Sequence, residues 1–231
     1  GTRLRPLTQT LPKPMVPVAN LPMLHHIINL LKKHSLKDCI SLLYFQPEEI
    51  KQYFRDGSDF GISMKYLLAE EDLGTAGSVK NAEEFYRHER VIVISGDVLT
   101  DFDLSAAIAF HEEKGAAATM VLPRLENPLA FGVVITDQEG RISRFLEKPT
   151  WGEVFSDTIN TGIYILEPEV FKRIPKGEFF DFSQNLFPKM LEDGEKLYGY
   201  VAEGYWRDIG NLSEYRKAHT DVLNGEVHIE T

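Results

Sequence analysis

The sequence predicts an α/β fold, a doubly wound and mostly parallel sheet that carries a smaller antiparallel insertion. Three observations lead there. Segments of helical and strand period alternate through the first half; one strand, Val91-Ile-Val-Ile94, is apolar on both faces as parallel strands are; and after Pro123 the pattern changes to strands joined by turns. In order, residues 23–34 place Met23, Leu24, Ile27, Ile28, Leu30 and Leu31 at helical spacing behind Pro22, a residue suited to a helix start. A strand is expected at about 39–45, then a short helix opened by Pro47, with Glu48 and Glu49 at the positive end of its dipole. Residues 62–69 read as a strand, 76–85 as a helix, 91–94 as the buried strand, 104–114 as an amphipathic helix stopped by Gly115, and 116–122 as a further strand. Beyond Pro123, strands at 132–136, 141–146 and 159–166 form an antiparallel wall for a cleft, the first two joined by Asp137-Gln-Glu-Gly140. Helices at 183–192 and 212–223 flank a strand at 197–201. No repeat or low-complexity linker interrupts the chain, so residues 1–231 are expected to form one domain.

Charge narrows the function. Thirty-five acidic residues against 25 Lys and Arg give a formal net charge of -10, which argues against nonspecific binding of nucleic acid. An anionic ligand must then be held by a local cationic site, against the field of the whole protein. No apolar run reaches membrane-spanning length and no signal-peptide pattern opens the chain, so a soluble cytoplasmic enzyme is expected, with no membrane partner. The single cysteine, Cys39, has no partner in the chain and sits in an apolar stretch, which suits packing. The seven histidines lack metal-ligand spacing; His25 and His26, adjacent on a helix, point apart.

The most informative segment is the first, Gly1-Thr-Arg-Leu-Arg-Pro-Leu-Thr8 followed by Pro12-Lys13-Pro14. Its prolines exclude regular helix and central strand, and Arg3, Arg5 and Lys13 make it a stiff cationic loop; a solvated basic arm is the alternative. It is not a Walker loop, since no Gly-Lys-Ser/Thr follows the glycine. The segment resembles the signature loop of the sugar-1-phosphate nucleotidyltransferases, the pyrophosphorylases that make nucleoside diphosphate sugars, and the resemblance extends from Gly1 to about Asp221 with the motifs in family order.

That resemblance implies the nucleotide-diphospho-sugar transferase fold, a Rossmann-like sheet, and assigns roles. Asp97, at the end of Val91-Ile-Val-Ile-Ser-Gly-Asp97, and Asp208, in Tyr205-Trp-Arg-Asp-Ile-Gly210, match the positions that hold Mg2+, for which two carboxylates together with phosphates and water are sufficient. Asp97 taken alone reads better as a turn aspartate. Gly1 and Thr2 of the signature loop match nucleotide-binding positions, as do Leu73, Gly74 and Thr75 of Leu73-Gly-Thr-Ala-Gly77, whose small residues let backbone groups approach a base; Thr75 can also cap the helix that follows. The Thr-Ala-Gly spelling is most similar to mannose-1-phosphate guanylyltransferases. In Phe145-Leu-Glu-Lys-Pro149, Glu147 would accept hydrogen bonds from sugar hydroxyls and Lys148 would meet the sugar phosphate, with Gly132 and Asn160 as neighbours; by charge alone Glu147 and Lys148 read as a solvated pair.

The implied reaction joins a nucleoside triphosphate, with GTP as first choice, to a sugar 1-phosphate, with mannose 1-phosphate as first choice, and releases pyrophosphate. The largely dianionic sugar phosphate can attack without a general base, so the site supplies positioning and charge through Arg3, Lys13, Lys148 and Mg2+ on Asp97 and Asp208. Arg5 would share a side with Arg3 on an extended segment yet matter little, because the family varies there. Three alternatives stand beside this: a glucose-1-phosphate thymidylyl- or uridylyltransferase, a noncatalytic sugar-nucleotide sensor, and a glycosyltransferase holding its metal on Asp101 and Asp103. Asp103 is also well placed to cap the helix at 104. A homo-oligomer is possible. The chain opens in mid-motif without Met, and 226–231 begin an alternating strand. The expectation is a missing N-terminal strand and a further C-terminal domain.

Overall fold

The computed structural model describes residues 2–128, 131–147 and 156–229, the side chain of Glu147 excepted. The opening loop forms two 3-10 turns, Thr2–Leu4 and Lys13–Met15, then a tight pair of strands, β1 (Pro17–Val18) and β2 (Leu21–Pro22). The prolines prevent longer elements, as anticipated. Next come α1 (Met23–Lys33), β3 (Asp38–Leu43), α2 (Pro47–Phe54), β4 (Ser63–Leu68) and α3 (Gly74–Asn81). β5 (Val91–Val93), β6 (Val98–Thr100), α4 (Leu104–Lys114), β7 (Ala118–Leu122), β8 (Gly132–Thr136) and β9 (Ile142–Glu147) follow. The remainder is β10 (Tyr164–Leu166), α5 (Phe187–Glu192), β11 (Leu197–Val201), β12 (Trp206–Asp208) and α6 (Leu212–Leu223). Among the described residues no helix is long and apolar enough to cross a membrane.

The chain divides into two compact units. The first comprises Gly1–Glu71, Ser95–Leu104 and Gly204–Thr231. In it β3 and β4 pair in parallel, and β6 pairs antiparallel with β12. One apolar cluster joins the opening loop to the end of the chain through Leu4, Val16, Val18, Met23, Leu99, Ile209, Ala218 and Val227. A second, around Ile28, Leu43, Ile50, Phe54 and Met64, seats α1 and α2 on the β3–β4 pair, with Cys39 packed at its margin. Burial pushes the Cys39 thiol up to about 11, which keeps it protonated.

The second unit comprises Asp72–Ile94 and Ser105–Glu203, with a four-stranded sheet in the order β11-β7-β10-β5 and a β8–β9 hairpin. Here the α/β class holds, but the pairing is mixed instead of mostly parallel. β11 runs parallel to β7, whereas β10 is antiparallel to both β7 and β5. The sequence pattern assigned 159–166 to the antiparallel wall. In fact Tyr164, Ile165 and Leu166 are all buried, a demand met by a central place in the sheet, while the start of the segment meets the hairpin, Ile159 bridging Val133 and Asn160 N donating to Gly132 O. Val91–Val93 is half-buried because it ends that sheet.

Three other boundaries depart from expectation. The helix anticipated at 76–85 starts at Gly74, stops at Asn81 and is followed by a 3-10 turn, Glu83–Phe85. The helix anticipated at 183–192 begins as a wide π turn, Phe182–Leu186, because Pro188 has no N–H to continue an α-helical ladder. Residues 226–229 form no strand: the His228 N–H donates to a carboxylate, Asp101 Oδ2, at 2.8 Å, and Val227 is buried by the first cluster.

α6 is fixed to β12 by a buried charge. Asp221, fully buried, accepts from Tyr205 Oη at 2.7 Å, from Arg207 Nε at 3.1 Å and from Lys217 Nζ. Burial pushes its carboxyl up, but the Lys217 and Tyr205 hydrogen bonds and the Arg207 charge outweigh this and hold it below the usual carboxylate range. A depressed acid stabilises the fold above its unfolded value, and the contribution fades as pH falls below about 4. We expect Asp221→Ala to cost about 3 kcal/mol near neutral pH, since Arg207 loses a buried partner, and the gap from the parent to close in acid. Denaturant unfolding at a series of pH values measures both.

Candidate active site

The antiparallel β6–β12 ladder brings together two carboxylates that lie far apart in the chain. Asp208 pairs in register with Val98, and the next N–H, of Ile209, donates to the Asp97 carbonyl at 3.1 Å. Gly96 admits the opening loop: a Cβ there would meet Pro14 Cγ at 3.3 Å. With Pro14 seated on Gly96, Lys13 Nζ reaches Asp97 Oδ2 at 2.5 Å and lies 3.5 Å from Asp208 Oδ1. Gly210 does the same for Arg3, since a Cβ at that position would stand 3.0 Å from Asp208 Oδ2 and 3.5 Å from Arg3 Nη2. Arg3, Lys13, Asp97 and Asp208 therefore converge, as their assignment to one site requires. Arg5 belongs to a different geometry from the one the sequence suggested. The segment turns, with Arg5 N donating to Thr2 O at 3.3 Å, so Arg3 and Arg5 do not share a side as on an extended strand.

Burial pushes the Asp208 carboxyl above its usual range; Lys13 and Arg3 pull it down and the Asp97 charge pushes it up, with the net direction upward. An acid in that position favours any additional cation. The donor set is hard oxygen from two carboxylates, and an ammonium already rests between them, so the residues present fit a divalent ion such as Mg2+. Groups of three or more His, Cys, Asp or Glu disposed for a metal do not occur among the described residues. Two carboxylates with substrate phosphates need no third protein ligand.

The Asp101 and Asp103 alternative fares differently. Asp101 is buried, and its oxygens accept from backbone: Oδ1 from Tyr205 N at 2.6 Å and Oδ2 from His228 N at 2.8 Å. It closes the turn around Gly204, where a Cβ would stand 2.6 Å from Asp101 Oδ1. Asp103 directly precedes α4 and faces His34 at 3.6 Å. Asp101 is a structural acceptor.

In the second unit, Leu73-Gly-Thr-Ala-Gly77 is clamped by 178–182. Phe180 N donates to Leu73 O and Gly77 N donates to Phe180 O, both at 2.9 Å, while a Cβ at Gly74 or Gly77 would strike a backbone oxygen of Phe180 or Glu178. Gly74 holds φ at +69°, which glycine adopts freely. Thr75 does not cap its helix, contrary to expectation. Leu73 occupies the cap position, and the Thr75 hydroxyl donates instead to Asp181 Oδ2 at 2.8 Å and accepts from Phe182 N.

Gly132, Glu147 and Asn160 are neighbours through their backbones. Gly132 and Glu147 are register partners across the β8–β9 hairpin, and Asn160 N donates to Gly132 O at 2.9 Å. The Asn160 side chain is held rigidly, with Nδ2 donating to Ser183 Oγ at 2.8 Å and Oδ1 accepting from Gly162 N and Tyr164 Oη. Gly1, Lys148 and the Glu147 side chain lie outside the described residues.

Sequence reasoning missed two supporting residues, Asp181 and Asp221. Asp181 follows Phe179-Phe180 and precedes Phe182, so it reads as a loop acid; only its contact with Thr75 reveals its role. Asp221 did carry a signal: Lys217 stands four residues before it, one helical turn away.

A family profile described as nucleotidyl transferase matches residues 1–225. A UTP–glucose-1-phosphate uridylyltransferase of Synechocystis sp. is 39% identical over 98% of this chain and 62% of its own length. A mannose-1-phosphate guanylyltransferase of Mycobacterium tuberculosis is 38% identical over 97% of this chain and 62% of its own. The chain thus spans about three-fifths of the length of these curated relatives. A Bacillus anthracis structure described as a candidate glucose-1-phosphate thymidylyltransferase in complex with sucrose superposes with a TM-score of 0.86 at 24% identity, covering 100% of this chain and 93% of that one, a likeness of fold. With the profile matched over nearly the whole length, the chain belongs to the nucleotidyl transferase family.

Proposed function

We propose that residues 1–231 are the catalytic domain of a sugar-1-phosphate nucleotidyltransferase that condenses GTP with mannose 1-phosphate to give a nucleoside diphosphate sugar and pyrophosphate. The observation that carries the reaction class is the convergence of Arg3, Lys13, Asp97 and Asp208 on the β6–β12 ladder. A new P–O bond forms between the sugar phosphate and the α-phosphorus as the bond to the departing pyrophosphate breaks. Lys13 and Arg3 neutralise charge on the triphosphate and the leaving group, and Lys148 steers the attacking phosphate. Mg2+ held by Asp97 and Asp208 would supply positive charge to phosphate oxygens of both reactants. Gly1, Thr2, Leu73, Gly74 and Thr75 would hold the nucleotide. Glu147 would accept from sugar hydroxyls beside Gly132 and Asn160, and the close backbone approach of those three supports a common pocket.

The choice of GTP and mannose 1-phosphate rests on Thr75-Ala-Gly77. A uridylyl transfer to glucose 1-phosphate is the second reading, favoured by the 39% identical Synechocystis relative. A matrix of nucleoside triphosphates against sugar 1-phosphates, read by pyrophosphate release, separates them. The highest turnover is expected with GTP and mannose 1-phosphate. Preference for UTP or dTTP with glucose 1-phosphate would overturn the pair and leave the class standing.

Lys13→Ala is expected to lower turnover roughly a hundredfold or more, because a cation is lost from a partly desolvated site. Arg5→Ala should have a small effect. Equal losses in steady-state kinetics would mean that both act through the general field.

For the metal, Asp97→Asn and Asp208→Asn should each keep the fold and lose most turnover and most of the response to Mg2+. Asp101→Asn should lower thermal stability, since its oxygens hold Tyr205 and His228, while its Mg2+ dependence stays that of the parent. Mg2+ titration of activity in the three variants decides; loss of the metal response in Asp101→Asn alone would favour the glycosyltransferase.

A further inference from the structure

Two acidic side chains brought together in a half-buried place need a cation, and here the chain supplies its own. The ammonium of Lys13 lies 2.5 Å from Asp97 Oδ2 and 3.5 Å from Asp208 Oδ1, between the two carboxylates that would hold a divalent ion. The backbone that carries it is fixed. Pro12 and Pro14 flank Lys13, Val16 N closes the turn on Lys13 O at 3.1 Å, and Met15 and Val16 are buried. The side chain is not fixed in the same way: four rotatable carbons end in a compact, strongly hydrated point charge that can move several ångströms without moving its turn. The three side chains keep 19%, 31% and 36% of their surface open to water, so exchange needs no unfolding.

We propose that Lys13 is a tethered stand-in for the metal: its ammonium occupies the place between Asp97 and Asp208 in the nucleotide-free protein, so divalent-ion entry and lysine departure are one coupled exchange. This rests on the assignment of the two aspartates as metal ligands. Two cations cannot share that place at contact distance, so lysine and ion compete while no phosphate is present. A bound triphosphate gives the displaced ammonium a new anionic partner and relieves the competition. Nucleotide therefore tightens metal binding, and Lys13 arrives at the phosphates as the ion arrives at the carboxylates.

The test measures Mn2+ binding directly, by the loss of the free-ion electron paramagnetic resonance signal, in the parent chain, in Lys13→Ala and in the shape-keeping Lys13→Gln. Asp97→Asn reports whether the ion is at this site. Without nucleotide, both lysine variants are expected to bind Mn2+ about tenfold or more tightly than the parent. Their further gain on adding a nonhydrolysable nucleotide should be smaller than the parent's. Thermal unfolding gives a second readout, with Mn2+ raising the midpoint more in the variants. Affinity equal to or below the parent's, with binding in the parent still dependent on Asp97, overturns the exchange and leaves the metal site standing. Absence of any Asp97-dependent binding in parent and variants overturns the metal assignment and the exchange with it.

Discussion

The pairing of Val98–Thr100 with Trp206–Asp208 is the constraint on which the proposed chemistry depends. The ladder joins segments more than a hundred residues apart, and a slip of one residue would send Asp208 to the opposite face, because side chains alternate along a strand. The register is secured just beyond the paired residues. Asp101 N donates to Tyr205 O at 3.2 Å, Thr100 Oγ1 donates to the same oxygen at 2.7 Å, and Tyr205 N returns a bond to Asp101 Oδ1. Asp101, for which the Asp-x-Asp spacing offered a metal-binding reading, instead holds the segments that carry Asp97 and Asp208 in register.

Placing Asp97 beside Asp208 costs stability, and the surrounding structure offsets it with cations on short tethers. Burial and the neighbouring carboxylate raise the Asp208 carboxyl, while Lys13 and Arg3 oppose them. Those two cations come from a loop with little regular structure, yet the loop is anchored. Leu4, Val16 and Val18 are fully buried in the cluster that also holds Ile209 and Leu99, so the apolar residues of the signature segment position its charged ones. Hydrophobic packing thus places the charges.

The second unit follows a different principle, close backbone approach. The glycines at 74 and 77 admit the carbonyls of Phe180 and Glu178. These contacts require the absence of a side chain more than the presence of any particular one. They bear on where a sugar or base could be held and say little about which, in keeping with the near-equal identity of the chain to a uridylyl and a guanylyl relative.

By itself the sequence determined the elements with long, clean periodicity, α1 and α6 among them, and the irregular, proline-fixed course of the opening loop. Local patterns suffice there because a helix face or a proline-fixed turn is encoded within a few residues. Tertiary structure alone decided the rest. Tyr164–Leu166 carries no mark that separates a hairpin strand from a central one; its place between β7 and β5 follows from which neighbours bury all three side chains. Asp97 and Asp101 are both acids beside a strand, and only the ladder to β12 makes the first a partner of Lys13 and the second a buried acceptor. Which carboxylate meets a cation depends on strand register and on room left by glycines at 96 and 210, properties of contacts between distant segments that no window of sequence contains.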